Sequence, residues 1–130
     1  MEPLKILASD SSPAINFDPK KGKFQIAGNS LPENSRGFYE PVVEWLDKYA
    51  DSPNPETEIE FKMILLNTSS TKLFIDIFKK INKIVESGDS KVNVIWNYVY
   101  GDDDIHDVGM EFKYFCRAPF ELVAVNDETI

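Results

Sequence analysis

The sequence holds a single cysteine, Cys116, and a single histidine, His106. One thiol excludes an internal disulfide and fits a reducing compartment. No window approaches the roughly 20 apolar residues of a membrane-spanning helix. Met1–Pro13 carries one lysine and no apolar stretch long enough for a secretory signal, so a cytoplasmic chain without membrane insertion is expected. Basic residues are scarce: 14 Lys and Arg face 22 Asp and Glu, a net charge of −8. A nucleic-acid backbone or an anionic lipid surface would be repelled, which excludes both as general partners. Neither GxxxxGK[ST] nor GxGxxG occurs, so no ordinary phosphate cradle is written here. No cofactor and no metal are expected.

What is present is a core. With 130 residues, the chain has the length of one domain spanning 1–130, and folding at that size hides about two thirds of the open chain's surface. Hydrophobic residues make up 42%, with 9 Phe, 5 Tyr and 2 Trp, enough to fill it. Intrinsic disorder is excluded as the main state.

Met1–Pro13 reads as a lead segment with an apolar patch at Leu4, Ile6 and Leu7. Alternating Ile15 and Phe17, then Phe24 and Ile26, flank a turn at Pro19–Gly22 and predict a β-hairpin. Phe38, Val42, Trp45, Leu46 and Tyr49 then recur on one helical face. Pro41 is tolerable only near a first turn, which places the helix start near Gly37 or a kink there. Glu58–Leu66 begins as a half-exposed strand and finishes apolar on both faces, so it is expected mid-sheet with both sides covered.

A long amphipathic helix follows residues 67–70. Leu73, Phe74, Ile77, Phe78, Ile81, Ile84 and Val85 are inward, Asp76, Lys79, Lys80 and Lys83 outward, and Gly88 closes it. Val92–Tyr100 is the next strand, with Val92, Val94, Trp96 and Tyr98 on one side. Asp102, Asp103 and Asp104 suit the positive end of a third helix. Ile105, Val108, Phe112 and Phe115 give its buried side, and Gly109 weakens it by ~1 kcal/mol relative to Ala. Phe120–Val125 reads as a last strand before a polar tail. The order ββαβαβαβ predicts an α/β domain with a mixed sheet and helices mainly on one face.

Few residues offer chemistry. His106 has no nucleophile signalled nearby and reads as a surface histidine. Cys116 reads as packing rather than reactive. Asp102–Asp104 with Asp107 lacks the alternating ligands and glycine of a calcium loop. With His106 this cluster supplies the one enzymatic alternative, a small metal-dependent hydrolase. Trp45 and Trp96 sit at core spacings.

The stretch Asn67-Thr68-Ser69-Ser70 differs from these. It crowds three hydroxyls and an amide at a helix start, where backbone N–H groups lack partners. One cap would suffice there. A phosphorylation site is the other reading, since a phosphate brings about −1.5 to −2 charges to a position that favours anions. Composition does not choose between them.

Pro32-Glu33-Asn34-Ser35, Leu66-Asn67-Thr68-Ser69-Ser70, Lys72 and Pro119-Phe120 together resemble the SiaC family of bacterial regulatory phosphoproteins. The resemblance runs from Pro13-Ala14-Ile15 to the last strand. It implies a fold similar to the STAS domain of anti-sigma factor antagonists, although no clear helix is expected after the last strand, where Asn126 to Ile130 remain. It implies phosphorylation of Thr68, with Ser69 and Ser70 as alternates, by a Ser/Thr kinase of the histidine-kinase-like ATPase type. A PP2C-like phosphatase would reverse it. The unmodified protein, not itself an enzyme, would bind and activate a diguanylate cyclase, raising cyclic di-GMP and promoting biofilm. Partner contact is expected through Pro32, Glu33, Asn34, Ser35, Asn67, Thr68, Ser69, Ser70 and Lys72. The regulatory alternative is an anti-sigma factor antagonist that sequesters an anti-sigma kinase.

Overall fold

Alternation of side chains along extended segments decides which face of the sheet is buried. In the computed structural model, which describes residues 1–126, Ile15 and Phe17, Phe24 and Ile26, and Ile59, Phe61 and Met63 are all buried on one face with Val92, Val94 and Trp96. The elements run β1 (Leu4–Ile6), β2 (Ala14–Asp18), β3 (Lys23–Ser30), α1 (Ser35–Tyr49), β4 (Glu56–Leu66), α2 (Thr68–Ser87), β5 (Lys91–Val99), α3 (Asp103–Phe115) and β6 (Phe120–Val125). The six strands lie side by side in chain order. β1, β2 and β3 pair antiparallel, and β3 to β6 pair parallel.

Three successive crossovers step the same way across the sheet. The right-handed rule therefore sends all three helices to one face. Their aromatic residues meet the strands there: Tyr49 lies edge-on to Phe24, Phe78 stacks on Phe61, and Phe112 packs on Trp96. The predicted α/β class, the mixed sheet and the one-sided helices are what the structure has.

Four details depart from expectation. The lead segment is a strand: Leu4 and Ile6 pair with Phe17 and Ile15, so the order is βββαβαβαβ, and Leu7 points to solvent. The end of β4 is not covered on both sides, because no helix among the described residues crosses to the second face; Ile64 and Leu65 are exposed. At that point Gly28 pairs with Met63 but Asn29 with Leu65, so Ile64 is an extra residue in the ladder.

Helix α1 begins at Ser35, before Gly37, and carries Pro41 beyond its first turn. Pro41 and Gly37 are both exposed, so the carbonyl that Pro41 leaves unbonded can be met by water. Tyr39 replaces Phe38 on the buried side of this helix. In α3 the buried side is Ile105, Gly109 and Phe112; Val108 is half-buried and Phe115 exposed. A Cβ on Gly109 would lie 2.5 Å from the Trp96 ring, so the glycine is what lets α3 approach the sheet. The expected polar tail lies, from residue 127 on, outside the described residues.

Candidate functional site

Strand β4 ends at Leu66, and one residue later the chain turns into α2. Asn67 is the cap: extended backbone, with its side-chain Oδ1 accepting from the Ser70 amide at 2.8 Å. The capping reading of this stretch therefore holds for Asn67, and the three hydroxyls are left for other tasks.

They divide sharply. Ser70 is fully buried; its hydroxyl accepts from Ser30 Oγ at 2.7 Å and donates to the Ser30 carbonyl at 3.1 Å. Tyr39 OH bonds the same Ser30 Oγ. Each hydroxyl has one proton, so the chain has one direction: Tyr39 donates to Ser30, Ser30 to Ser70, and Ser70 to the backbone of β3. Burial pushes the Tyr39 phenol well above its ordinary pKa, and the Ser30 bond opposes this only in part. Ser30 and Tyr39 carry no sequence signal beyond their type, and sequence reading missed both.

Ser69 is exposed but engaged. Its hydroxyl donates to Asn67 Oδ1 at 3.1 Å and lies 2.6 Å from Ser35 Oγ. With Ser69's proton committed to Asn67, Ser35 is the donor in that pair. Thr68, the first residue of α2, is exposed, and no hydrogen bond of its hydroxyl is found among the described residues. Lys72, one helical turn further on, is exposed as well.

The 32–35 loop lies at the same end of the sheet. Asn34 caps α1 by accepting from the Gly37 amide at 3.0 Å, Glu33 is exposed, Pro32 half-buried and Ser35 buried. The backbone ties the two segments together too, as the Asn67 amide donates to the Ser30 carbonyl at 3.0 Å. Thus all nine expected contact residues gather at the carboxyl ends of β3 and β4, where the helices α1 and α2 begin.

The other candidates sit elsewhere and are occupied. Asp102 caps α3 through the Ile105 amide, and His106 Nδ1 lies 3.1 Å from Asp107 Oδ1 with its ring against Tyr98. No group of three or more His, Cys, Asp or Glu suited to a metal is found among the described residues. Burial raises the pKa of the Cys116 thiol, which disfavours the reactive thiolate. Trp96 is buried, its indole donating to the Ile105 carbonyl; Trp45 is half-buried, its indole donating to the Glu2 carbonyl. No helix among the described residues is long and apolar enough to cross a membrane.

Known proteins share this fold. Residues 6–125 match the sequence profile described as SiaC family regulatory phosphoprotein. An uncharacterised protein of Pseudomonas aeruginosa strain UCBPP-PA14 is 31% identical over 125 residues, which are 95% of this chain and 98% of that one. The solved structure of SiaC of Pseudomonas aeruginosa superposes with a TM-score of 0.86 at 29% identity, covering 96% of this chain and all (100%) of that one. A second structure, of the diguanylate cyclase SiaD in complex with its activator SiaC from the same organism, matches with a TM-score of 0.86 at 29% identity, over 94% of this chain and 99% of that one.

Proposed function

The chain belongs to the SiaC family of regulatory phosphoproteins, and on that premise we propose that it is a phosphorylation-controlled binding protein rather than an enzyme. Unmodified, it binds and activates a diguanylate cyclase, as the SiaC of the SiaD complex is described as doing. Phosphorylation of Thr68 by a Ser/Thr kinase turns it off, and a PP2C-like phosphatase restores it. It acts in the cytoplasm.

The observation that carries this reading is the contrast among three neighbouring hydroxyls. Ser70 is walled in, Ser69 is held by Ser35 and Asn67, and Thr68 alone is both exposed and unbonded among the described residues. A kinase needs such a group. The fold tolerates the product: a phosphate of about −1.5 to −2 charges at the first residue of α2 sits where the helix dipole favours anions. Lys72 stands four residues on, the spacing at which an anion and a following cation attract along a helix.

The switch therefore acts on the partner. In the free domain the phosphate remains in water. In a complex that covers Thr68 with apolar or acidic surface, the dianion would be desolvated at a cost of several kcal/mol. A micromolar complex has only about 8 kcal/mol in all. Glu33 and Asn34, exposed in the loop that buried Ser35 ties to Ser69, form the second part of the same contact surface.

The test titrates a GGDEF-domain cyclase with wild type, Thr68→Ala and kinase-treated protein, reading binding by calorimetry and cyclic di-GMP synthesis. Wild type and Thr68→Ala are expected to bind and stimulate; the kinase-treated protein, about 80 Da heavier on the peptide spanning residues 67–70, is expected to lose both. Thr68→Asp, with one charge, falls between. Equal binding by modified and unmodified protein would end the proposal. Capture of an anti-sigma kinase in place of the cyclase would favour the antagonist reading.

A further inference from the structure

The outward side of β4 changes character along its length. Glu58, Glu60 and Lys62 alternate with buried Ile59, Phe61 and Met63 and give the helix-free face its charge. Beyond Met63 the outward residues are apolar, Ile64 being 37% and Leu65 49% exposed. The extra residue in the ladder produces this. Simple alternation from Met63 would turn Leu65 inward and Leu66 outward. With Ile64 inserted, Leu66 pairs with buried Ser30 and packs against the core, while Leu65 pairs with Asn29 and faces out beside Ile64.

These two side chains adjoin Thr68. Leu65 precedes it by three residues, so their Cα atoms lie within about 11 Å. Leu31, 38% exposed, approaches from β3: its neighbour Ser30 accepts from the Asn67 amide at 3.0 Å. A stable protein–protein contact covers about 800 Å² of each partner, a patch roughly 30 Å across. A contact of that size centred on Thr68 also covers the three apolar residues. Exposed Glu33 and Asn34 follow Leu31, and exposed Lys72 follows Thr68 by one helical turn. An apolar centre with polar groups around it is the make-up of an interface.

We propose that Leu31, Ile64 and Leu65 are the apolar anchor of the cyclase complex, so that the partner meets Thr68 with apolar rather than acidic surface. The inference rests on the reading of Thr68 as the switch and names the chemistry of the surface that reads it. That surface is an exposed apolar patch of the cyclase, seated on the outward turn of β4 and on Leu31. A phosphate on Thr68 then blocks binding by dehydration. Two charges carried into an apolar contact lose their water and gain no counter-charge, and salt does not relieve this. An acidic partner surface would instead act by repulsion across water, which about 1 M salt screens to a range of about 3 Å.

Calorimetric titration of a GGDEF-domain cyclase at low salt and at about 1 M NaCl tests this. Leu31→Ser and Leu65→Ser are each expected to weaken binding of the unmodified protein by about three- to tenfold, the worth of burying the exposed half of a leucine. Leu65→Met should bind like wild type. Tyr114→Ser removes a ring that is 96% exposed in the last turn of α3, at the opposite end of the sheet, and should leave the affinity unchanged. Kinase-treated wild type should stay unbound at both salt concentrations. Thermal melting of the serine variants should remain close to wild type. A readout that needs no variant is hydrogen exchange of the wild type, in which the cyclase should protect the amides of residues 64–68.

Serine variants that bind like wild type, or a segment 64–66 that the cyclase leaves unprotected, overturn the anchor. The Thr68 switch stands in that case as long as phosphorylation still abolishes binding. Kinase-treated protein that regains affinity at high salt overturns the anchor too, in favour of an acidic partner surface. Kinase-treated protein that binds like wild type at both salt concentrations ends the switch reading, and the anchor with it.

Discussion

Ser35 Oγ lies 2.6 Å from Ser69 Oγ, joining the first turn of α1 to the first turn of α2 across 34 positions of sequence. Ser69 in turn donates to Asn67, whose side chain caps α2. The loop before α1 and the turn bearing Thr68 are therefore held as one surface. Replacing Ser35 by Ala should lower the unfolding free energy by about 1 kcal/mol, the net worth of an ordinary hydrogen bond. Urea denaturation of Ser35→Ala, Ser69→Ala and the double variant should give a coupling of about 0.5–1.5 kcal/mol. Purely additive losses would show that the two hydroxyls do not support each other.

Beneath that surface, Tyr39 starts the buried chain of hydroxyls through Ser30 to Ser70. Tyr39→Phe keeps the ring's edge-on contacts with Phe38 and Phe74 and removes one donor. It should cost about 1–2 kcal/mol at neutral pH. The effect weakens in alkali. An unfolded tyrosine ionises near pH 10, whereas burial holds the folded phenol protonated to higher pH. Above pH about 10 the unfolded state therefore binds fewer protons, and stability falls until the raised folded value is reached. Tyr39→Phe removes that share of the alkaline loss. Its deficit against wild type should shrink as denaturation midpoints are followed from pH 8 to pH 11.

The cap of α2 can be tested without touching Thr68. Asn67→Ala should cost about 1 kcal/mol and fray the first turn. Asn67→Asp should hold stability at or above wild type, since a carboxylate accepts from the Ser70 amide equally well and suits the helix dipole. Amide exchange at Ser70 and Thr71 gives the local readout, expected to quicken in the alanine variant alone.

These sites show which features of the fold were legible beforehand. Period-two and period-3.6 patterns marked β2 through β6 and all three helices, because burial on one face repeats along each element. β1 was not legible: Leu4 and Ile6 alternate for only three residues, and what makes them a strand is the partner offered by Ile15 and Phe17. The shift from Phe38 to Tyr39 in α1 had a similar cause, since a phenol counts as core only when a distant Ser30 satisfies it. The end of β4 misled for a different reason. Ile64 and Leu65 read as doubly covered, but with all helices on one side an apolar residue on the far face stays open. At the candidate site, the motif located Asn67–Ser70 and residues 32–35 but could not rank the hydroxyls. Ranking needs the depth of each oxygen, which depends on β3 and α1.

Gly109 carries the sharpest opposition between local preference and tertiary packing. Considered as a helix residue it is a defect: alanine in its place should favour α3 by ~1 kcal/mol. The structure reverses that expectation, because a Cβ here would sit 2.5 Å from Cδ1 and Nε1 of Trp96. The indole has no room to yield. It is fully buried, donates to the Ile105 carbonyl at 3.1 Å, and lies among Phe61, Phe74, Phe112 and Phe120. Either α3 lifts from the sheet or the ring leaves its rotamer, and overpacking of this kind costs about 1–3 kcal/mol even where some relaxation occurs. Gly109→Ala should therefore destabilise by about 1–3 kcal/mol in urea titration, the helix propensity gain notwithstanding. Trp96→Phe will itself destabilise, but in that background the smaller ring makes room, and Gly109→Ala should become neutral or favourable. A stabilising Gly109→Ala in the wild-type background would mean that α3 does not rest on Trp96 as closely as described.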